Sequence, residues 1–155
     1  MMSYVSWHNY GYGICVDDIS TTVDKVFQLV HLAPNFEKEF YKWVESLRQE
    51  DDPESIAELI TMEYIDEYED DMYCIHGIGP IMKAVIKEVE DIELLVCDDY
   101  NCYHYLMFTP TYPWNMSEKE KNMTEEDVRC MFAKYVNVLT DDVITVGYQS
   151  VENGG

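Results

Sequence analysis

Carboxylates are the side chains whose number and spacing suggest chemistry in this sequence. Residues 50–71 hold eleven of them and no lysine, arginine or histidine. If a helix runs through this stretch, one face carries a row of acids, with a further acidic pair a few turns earlier: Glu63, Asp66, Glu67 and Asp70, preceded by Glu54 and Glu58. Each like-charge pair at such spacing destabilises a helix by roughly 0.2–0.5 kcal/mol. A surface shaped only by folding would interleave lysines, so the pattern predicts a functional surface.

The predicted row of acids has the spacing needed to imitate a nucleic-acid backbone. Neighbouring side chains on a helix face lie roughly 5–6 Å apart, close to the spacing of successive phosphates on one strand. Tyrosines between the acids would add rigid contact area and hydroxyl groups. The predicted partner is therefore a basic protein surface. The predicted partner-binding residues are Glu54, Glu58, Glu63, Tyr64, Asp66, Glu67, Tyr68, Glu69, Asp70 and Asp71.

Two other interpretations of the acidic stretch stay open. It could be a solvated face without a partner, or it could associate weakly with divalent cations, although DEYEDD lacks the glycine and terminal glutamate of an EF-hand loop. Adaptation to high salt would spread acid over the whole surface. The net charge is instead −14 in residues 51–100, against −3 in residues 1–50 and −4 in residues 101–155.

Cysteine and histidine occur together at two places in the chain. Cys74 and His76, like Cys102 and His104, lie two residues apart, so each thiol and imidazole would share one side of an extended segment. The pairs could form a Cys₂His₂ zinc site or a Cys–His nucleophile, but no zinc-finger spacing or catalytic signature surrounds them. No GxxxxGK, GxSxG, HExxH or GxGxxG motif is present. We expect no catalytic residues, metal or cofactor; a metal- or Cys/His-dependent enzyme of small-molecule metabolism is the alternative.

The composition predicts one globular domain over residues 1–155, since 47% of residues are hydrophobic and 14% aromatic. The net charge of −21, from 31 acids and 10 bases, argues against direct binding of nucleic acid or anionic lipid. The chain has no signal-peptide pattern, no apolar run of bilayer length and no CxxC pair among its five cysteines. We expect a soluble cytoplasmic protein with reduced thiols, in which exposed tyrosines, Trp7 and Trp114 are candidates for a homodimer contact.

Hydrophobic periodicity predicts an α+β domain with the order β-α-α-α-α-β-β-α-β and an antiparallel or mixed sheet of about four strands. Strands are predicted at 4–16 and 143–151, with a β-hairpin at 93–109 and a loop at 110–122. Capping boxes at Thr21/Asp24 and Thr124/Asp127 predict the starts of the first and last helices. The expected core-facing residues of the last four helices are Phe36, Phe40, Trp43, Val44 and Leu47; Ile56, Ile60, Tyr64 and Tyr68; Met82, Val85, Ile86 and Val89; and Val128, Met131, Phe132, Tyr135 and Leu139.

In these features the chain resembles the small acidic inhibitors of bacteriophages and mobile elements, including anti-CRISPR proteins and other DNA mimics. The shared features are a short single domain, strong acidity, many tyrosines and no catalytic signature, without a family motif. The resemblance implies an inhibitor that occupies the basic nucleic-acid-binding groove of a defence nuclease. A CRISPR effector fits best because its Arg- and Lys-rich channels hold duplex and guide–target hybrid. A restriction enzyme, repressor or polymerase presents similar grooves, and a phage-encoded inhibitor would act in the host cytoplasm.

Overall fold

Four antiparallel strands and a layer of helices make up the fold in the computed structural model, which describes residues 6–49, 52–61, 77–98, 104–109 and 118–154. The strands are β1 (Ser6–Cys15), β2 (Leu95–Asp98), β3 (His104–Phe108) and β4 (Gly147–Gly154). The helices are α1 (Val23–His31), α2 (Pro34–Arg48), α3 (Pro53–Thr61), α4 (Ile78–Glu90), α5 (Glu118–Lys121) and α6 (Glu125–Leu139), and a 3₁₀ turn, Val16–Asp18, follows β1. The predicted α+β class is confirmed.

The strand order in the sheet is β2-β3-β1-β4, and each neighbouring pair is antiparallel. The predicted hairpin is confirmed, with Asp98 opposite His104 at its inner end. In the centre of the sheet Ile14 of β1 lies opposite Leu106 of β3, and both side chains are fully buried. β1 also pairs along its first eight residues, from Ser6 to Gly13, with β4. The first and last strands of the chain therefore lie side by side.

The last strand begins four residues later than the predicted 143–151. Gly147 pairs with Gly13, and β1 ends only two residues after Gly13, at Cys15. Because the two strands are antiparallel, residues 143–146 have almost no part of β1 to pair with. Ile144 and Val146 still pack against the core, whereas the Val143 side chain is 96% exposed. The apolar alternation in this stretch thus marked side-chain burial rather than strand pairing.

The two glycines in the YGYG stretch of β1 leave room for the backbone of β3, which approaches them closely. A Cβ atom at Gly13 would lie 2.2 Å from the carbonyl oxygen of Leu106, and one at Gly11 would lie 2.2 Å from that of Phe108. Neither oxygen can move without breaking the ladder between the two strands. At Gly147 in β4, by contrast, nothing lies within 4 Å of an added Cβ.

α1 is the central helix, since it contacts α2, α3, α4 and α6. Its own buried residues are Val26, Leu29 and Val30. The predicted core faces are confirmed where the structure describes them: Phe40, Val44, Ile56, Ile60, Met82, Val85, Ile86, Val128, Met131, Phe132, Tyr135 and Leu139 are buried, and Phe36, Trp43 and Leu47 pack against them. Together with the sheet face around Ile14 they form one core.

Three further predicted details are wrong. The predicted cap of α1 was Thr21, but the cap is Thr22, whose hydroxyl accepts a hydrogen bond from the Lys25 amide. The two adjacent threonines carry the same hydroxyl group, so the sequence alone does not decide which of them caps the helix. Val89 is 42% exposed, because the last turn of α4 makes polar contacts instead. The predicted loop 110–122 contains α5, which Lys119 ties to the end of α4 by donating to the Glu90 carbonyl oxygen at 2.8 Å.

Two further findings concern the helices. The capping box at Thr124 and Asp127 is confirmed at the start of α6. None of the helices in the described ranges combines the length and the apolar character that a bilayer crossing requires.

Candidate acidic interaction surface

The predicted partner-binding residues fall at and beyond α3. Glu54 is exposed in the first turn of this helix, and the backbone of Glu58 lies one turn further on. The helix packs through Ile56 and Ile60, which are buried against α1 and α2. The remaining predicted residues lie outside the described residues: Glu63, Tyr64, Asp66, Glu67, Tyr68, Glu69, Asp70 and Asp71.

The acidic segment, residues 62–76, is bracketed by two helices that belong to the core. On one side α3 ends at Thr61, whose hydroxyl donates to the Ala57 carbonyl oxygen at 2.9 Å. On the other side α4 begins after Gly77, which is buried and has a φ of 90°, a conformation that favours glycine. Ile78 follows it and is fully buried. The described residues on either side of the acidic segment therefore belong to the same helical layer.

The basic residues of the chain are mostly engaged by nearby carboxylates. All ten lie in the described ranges, and eight have a carboxylate oxygen of another described residue within 4.0 Å. These eight are Lys42, Arg48, Lys83, Lys87, Lys119, Lys121, Arg129 and Lys134. The described ranges hold 22 acids, and the nine other acids of the chain are accompanied by no base in their own segments.

Many acids of the described ranges stabilise the ends of helices. The first turn of α1 contains Asp24, that of α2 contains Glu37, and that of α3 contains Glu54. α6 has three acids in its first turn, and hydrogen bonds from Thr124 lower the pKa of Asp127. Negative charge at a helix N-terminus is stabilising because it faces the positive end of the helix dipole. These acids therefore stabilise the helices that they begin, and Glu54 and Glu125 are in addition exposed to a partner.

Glu90 is the centre of a polar cluster between α4, α5 and α6. Its carboxylate accepts from the Tyr135 hydroxyl at 2.5 Å, from Lys134 Nζ at 3.1 Å and from Lys119 Nζ at 3.2 Å. Partial burial alone would raise the pKa of Glu90, but these hydrogen bonds outweigh it and lower the pKa to about 2. Burial and the same carboxylate raise the pKa of Tyr135. The cluster holds three helices together and leaves Glu90 with little capacity for an external partner.

Glu88 serves the start of α2, which has no side-chain cap of its own. The carboxylate accepts from the Phe36 amide at 2.8 Å and from the Asn35 amide at 3.0 Å. Two otherwise unpaired amides of the first turn are thereby satisfied from another helix. Glu88 and Glu90 are therefore acids of the fold rather than of an interaction surface.

His104, one of the predicted Cys–His residues, contacts Asp17 of the 3₁₀ turn. Its backbone amide donates to the Asp17 carboxylate at 2.5 Å, and its Nδ1 lies 3.2 Å from the other carboxylate oxygen. The Cys15 thiol donates to the same carboxylate at 3.6 Å. Partial burial, with the negative charges of Asp18 and Asp17, raises the pKa of Cys15 to about 11, which disfavours a reactive thiolate there.

The other members of the predicted pairs, Cys74, His76 and Cys102, lie outside the described residues. Across the ranges that are described, no three His, Cys, Asp or Glu side chains come close enough together to hold a metal ion.

Sequence reasoning missed a groove at the start of α6, which we call the aromatic groove. Phe108, Tyr12 and Tyr148 lie opposite one another on β3, β1 and β4, and Met123 and Val128 line the helical side. The cavity has a volume of about 360 Å³, with Glu120, Lys121 and Glu125 among its remaining lining residues. Its three aromatic residues are far apart in sequence, so only the strand register could have revealed it.

Comparison of the chain with models of known protein families, with curated proteins and with solved structures finds no match.

Proposed function

We propose that this chain is an acidic inhibitor that binds the basic nucleic-acid-binding groove of another protein. The observation that carries the proposal is the charge of residues 50–71, with eleven carboxylates and no base. A CRISPR effector nuclease is the first candidate target, because such enzymes hold duplex and guide–target hybrid in channels rich in arginine and lysine. The inhibitor would act by occupancy and not by catalysis.

The use of charge in the rest of the chain supports this proposal. Described acids such as Glu88, Glu90 and Asp127 are engaged in caps and in a polar cluster, and most bases already have carboxylate partners. Basic side chains that are held locally are poorly placed to neutralise the acidic segment as well. We therefore expect the acids of that segment to pair with an external basic surface.

The helices that flank the acidic segment also favour a binding role. α3 before it and α4 after it belong to the core through buried residues such as Ile60 and Ile78. Fixed flanks would reduce the number of conformations that must be given up on binding, which favours affinity. Carboxylates presented in this way would form charge-assisted hydrogen bonds with arginines placed to receive phosphates. Steering by the net charge of −21 would add speed of association.

Affinity capture followed by competition tests the proposal. The tagged chain is mixed with lysates of prokaryotic cells that contain CRISPR effectors and restriction enzymes, and retained proteins are identified. The expected partner binds nucleic acid, is released by excess target DNA, and is no longer captured when its groove is already filled. A partner that binds no nucleic acid, or one that holds DNA and this chain together, would refute the proposal.

A matched control separates recognition from simple charge attraction. Variants of Glu54 and Asp141 remove one exposed acid each, the first within the base-free stretch 50–71 and the second just beyond the end of α6. Capture by the Glu54→Gln variant should be weaker than capture by Asp141→Asn. Equal capture by both would mean that overall charge, and not this region, determines binding.

A further inference from the structure

We propose that the aromatic groove receives a single arginine side chain of the basic partner, as a second contact in addition to the one proposed for the acidic segment. This inference rests on the proposed function for the nature of the partner. It rests on the groove itself for the identity of the side chain.

The walls of the groove offer both ring surfaces and ring edges. Tyr12 and Tyr148 lie with their ring centroids 6.2 Å apart and their planes at 79°, so a group that enters beside them meets one ring edge-on and the other face-on. Tyr148 is 61% exposed, whereas Tyr12 packs against the core. A ring that is held on one side and exposed on the other is suited to stacking with a planar group from outside.

The apolar lining residues of the groove are partly or fully buried, whereas an acidic one is exposed. Phe108, Met123 and Val128 are at least partly buried, as is Tyr12. Glu125 is exposed and forms what we call the rim, and the Lys121 ammonium group, also in the lining, lies 3.4 Å from the carboxylate of Glu118. A ligand with an apolar stem and a cationic end would therefore match both parts of the groove. Arginine and lysine place their methylene stems on apolar surface in this way.

The choice of arginine over lysine follows from the rings. A guanidinium group is planar and weakly hydrated, stacks on aromatic faces and pairs with a carboxylate through two hydrogen bonds, whereas an ammonium group is strongly hydrated. The volume of about 360 Å³ lies near the lower end of the ~300–1,000 Å³ typical of small-molecule sites. It is large enough for one long side chain, and the carboxylates of its lining disfavour a phosphate-bearing ligand such as a nucleotide.

Titration with a blocked amino acid, followed by NMR, tests the inference without any knowledge of the partner. The probe is Nα-acetyl-arginine methylamide, and the neutral comparator of the same shape is Nα-acetyl-citrulline methylamide. We expect saturable shifts at Gly11, Tyr12 and Phe108 with the arginine probe. The citrulline probe should bind about threefold more weakly or worse, the factor that corresponds to an exposed cation–π contact.

Two variants and two controls locate the binding. Tyr148→Ala removes the exposed ring and Glu125→Gln removes the rim charge, and each should weaken the arginine probe by about threefold or more. Val143→Ala and Asp141→Asn change exposed residues outside the groove and should leave binding unchanged. Glu125→Gln alters no buried group, so it remains informative even if Tyr148→Ala disturbs β4.

Binding of arginine and citrulline with equal strength, or equal weakening by Asp141→Asn and Glu125→Gln, would overturn the inference. Its failure can be separated from that of the proposed function. If a nucleic-acid-binding partner is captured while the groove ignores the arginine probe, the inference alone is wrong. If the groove binds the probe as expected while the captured partner binds no nucleic acid, the preference of the groove for arginine is supported and the proposed function is refuted.

Discussion

Replacing Glu90 with glutamine should destabilise the fold by about 1–3 kcal/mol near neutral pH. The carboxylate accepts a hydrogen bond from the largely buried Tyr135, and a hydrogen bond to a charged group contributes roughly 1.5–3 kcal/mol against about 1 kcal/mol for a neutral one. Glutamine would keep the weaker bond. It would lose the ion pairs with Lys119 and Lys134, both exposed, which contribute roughly 0–1 kcal/mol each. For a chain of this length the total corresponds to a fall in Tm of roughly 3–10 °C.

The difference in stability between wild type and Glu90→Gln should depend on pH in a defined direction. The pKa of Glu90 is lowered from 4.5 to about 2 in the folded protein, so its charged form stabilises the fold. The contribution is complete above the ordinary pKa of 4.5 and is lost as the pH falls through 4.5 towards 2. Acidification also relieves repulsion among the other acids, but this change is common to both proteins and cancels in the difference.

Thermal unfolding followed by circular dichroism from about pH 7 to pH 2.5 measures this difference. Glu39→Gln is the matched control, because it breaks an exposed pair with Lys42 and should change stability by less than about 0.5 kcal/mol. A gap between wild type and Glu90→Gln that stays constant down to the lowest pH would refute the role assigned to the carboxylate. So would a Glu90→Gln variant as stable as Glu39→Gln near neutral pH.

Three other perturbations test the fold. Gly13→Ala should destabilise the fold by about 1–3 kcal/mol, because the added Cβ atom would lie 2.2 Å from the Leu106 carbonyl oxygen. The control Gly147→Ala should stay within about 0.5 kcal/mol of wild type. Equal urea midpoints for the two variants would contradict the close approach of β3 to β1. Glu88→Ala should lower the free energy of unfolding by about 1–2 kcal/mol, because it removes the carboxylate that caps α2. Urea unfolding measures this loss against the control Glu45→Ala, and a loss of stability no larger than that of the control would argue against the cap. Raising NaCl from ~0.05 to ~0.5 M should raise the Tm by screening a net charge of −21, and a lower Tm in salt would show that ion pairs outweigh repulsion.

The elements that sequence predicted well are those with local signals. α2 and α6 have apolar residues at helical spacing, and the capping box at Thr124 fixes where α6 begins. The hairpin of β2 and β3 was visible as two apolar runs around a turn. The start of β4 could not be read in the same way, because it depends on where β1 ends, more than 130 residues earlier in the chain.

The polar contacts that join the helices were beyond sequence reasoning. Glu88 accepts from an amide 52 residues away, and Glu90 accepts from a hydroxyl 45 residues away. In the sequence, nothing distinguished Glu88 and Glu90 from the other acidic residues. The acidic segment was conspicuous because no base accompanies its acids, but which surface those acids form is not a local property of the chain.

The aromatic groove shows the same limit for binding sites. Tyr12 was visible as part of a tyrosine-rich strand, but its neighbours Phe108 and Tyr148 come from β3 and β4. Without the register, nothing in the spacing of these residues brings their rings together.

The most direct test of the proposed function compares two variants that remove the same charge from different places. One replaces Glu63, Asp66, Glu67 and Asp70 with their amides, and the other does so at the exposed Glu39, Glu45, Asp141 and Asp142. The measurement is the affinity of each for the captured partner, by calorimetry. We predict that the first variant binds about 100-fold more weakly or worse, equivalent to ~2.8 kcal/mol, while the second stays within about threefold of wild type. Equal losses in both variants, or no loss in the first, would contradict the claim that the acidic segment recognises the partner.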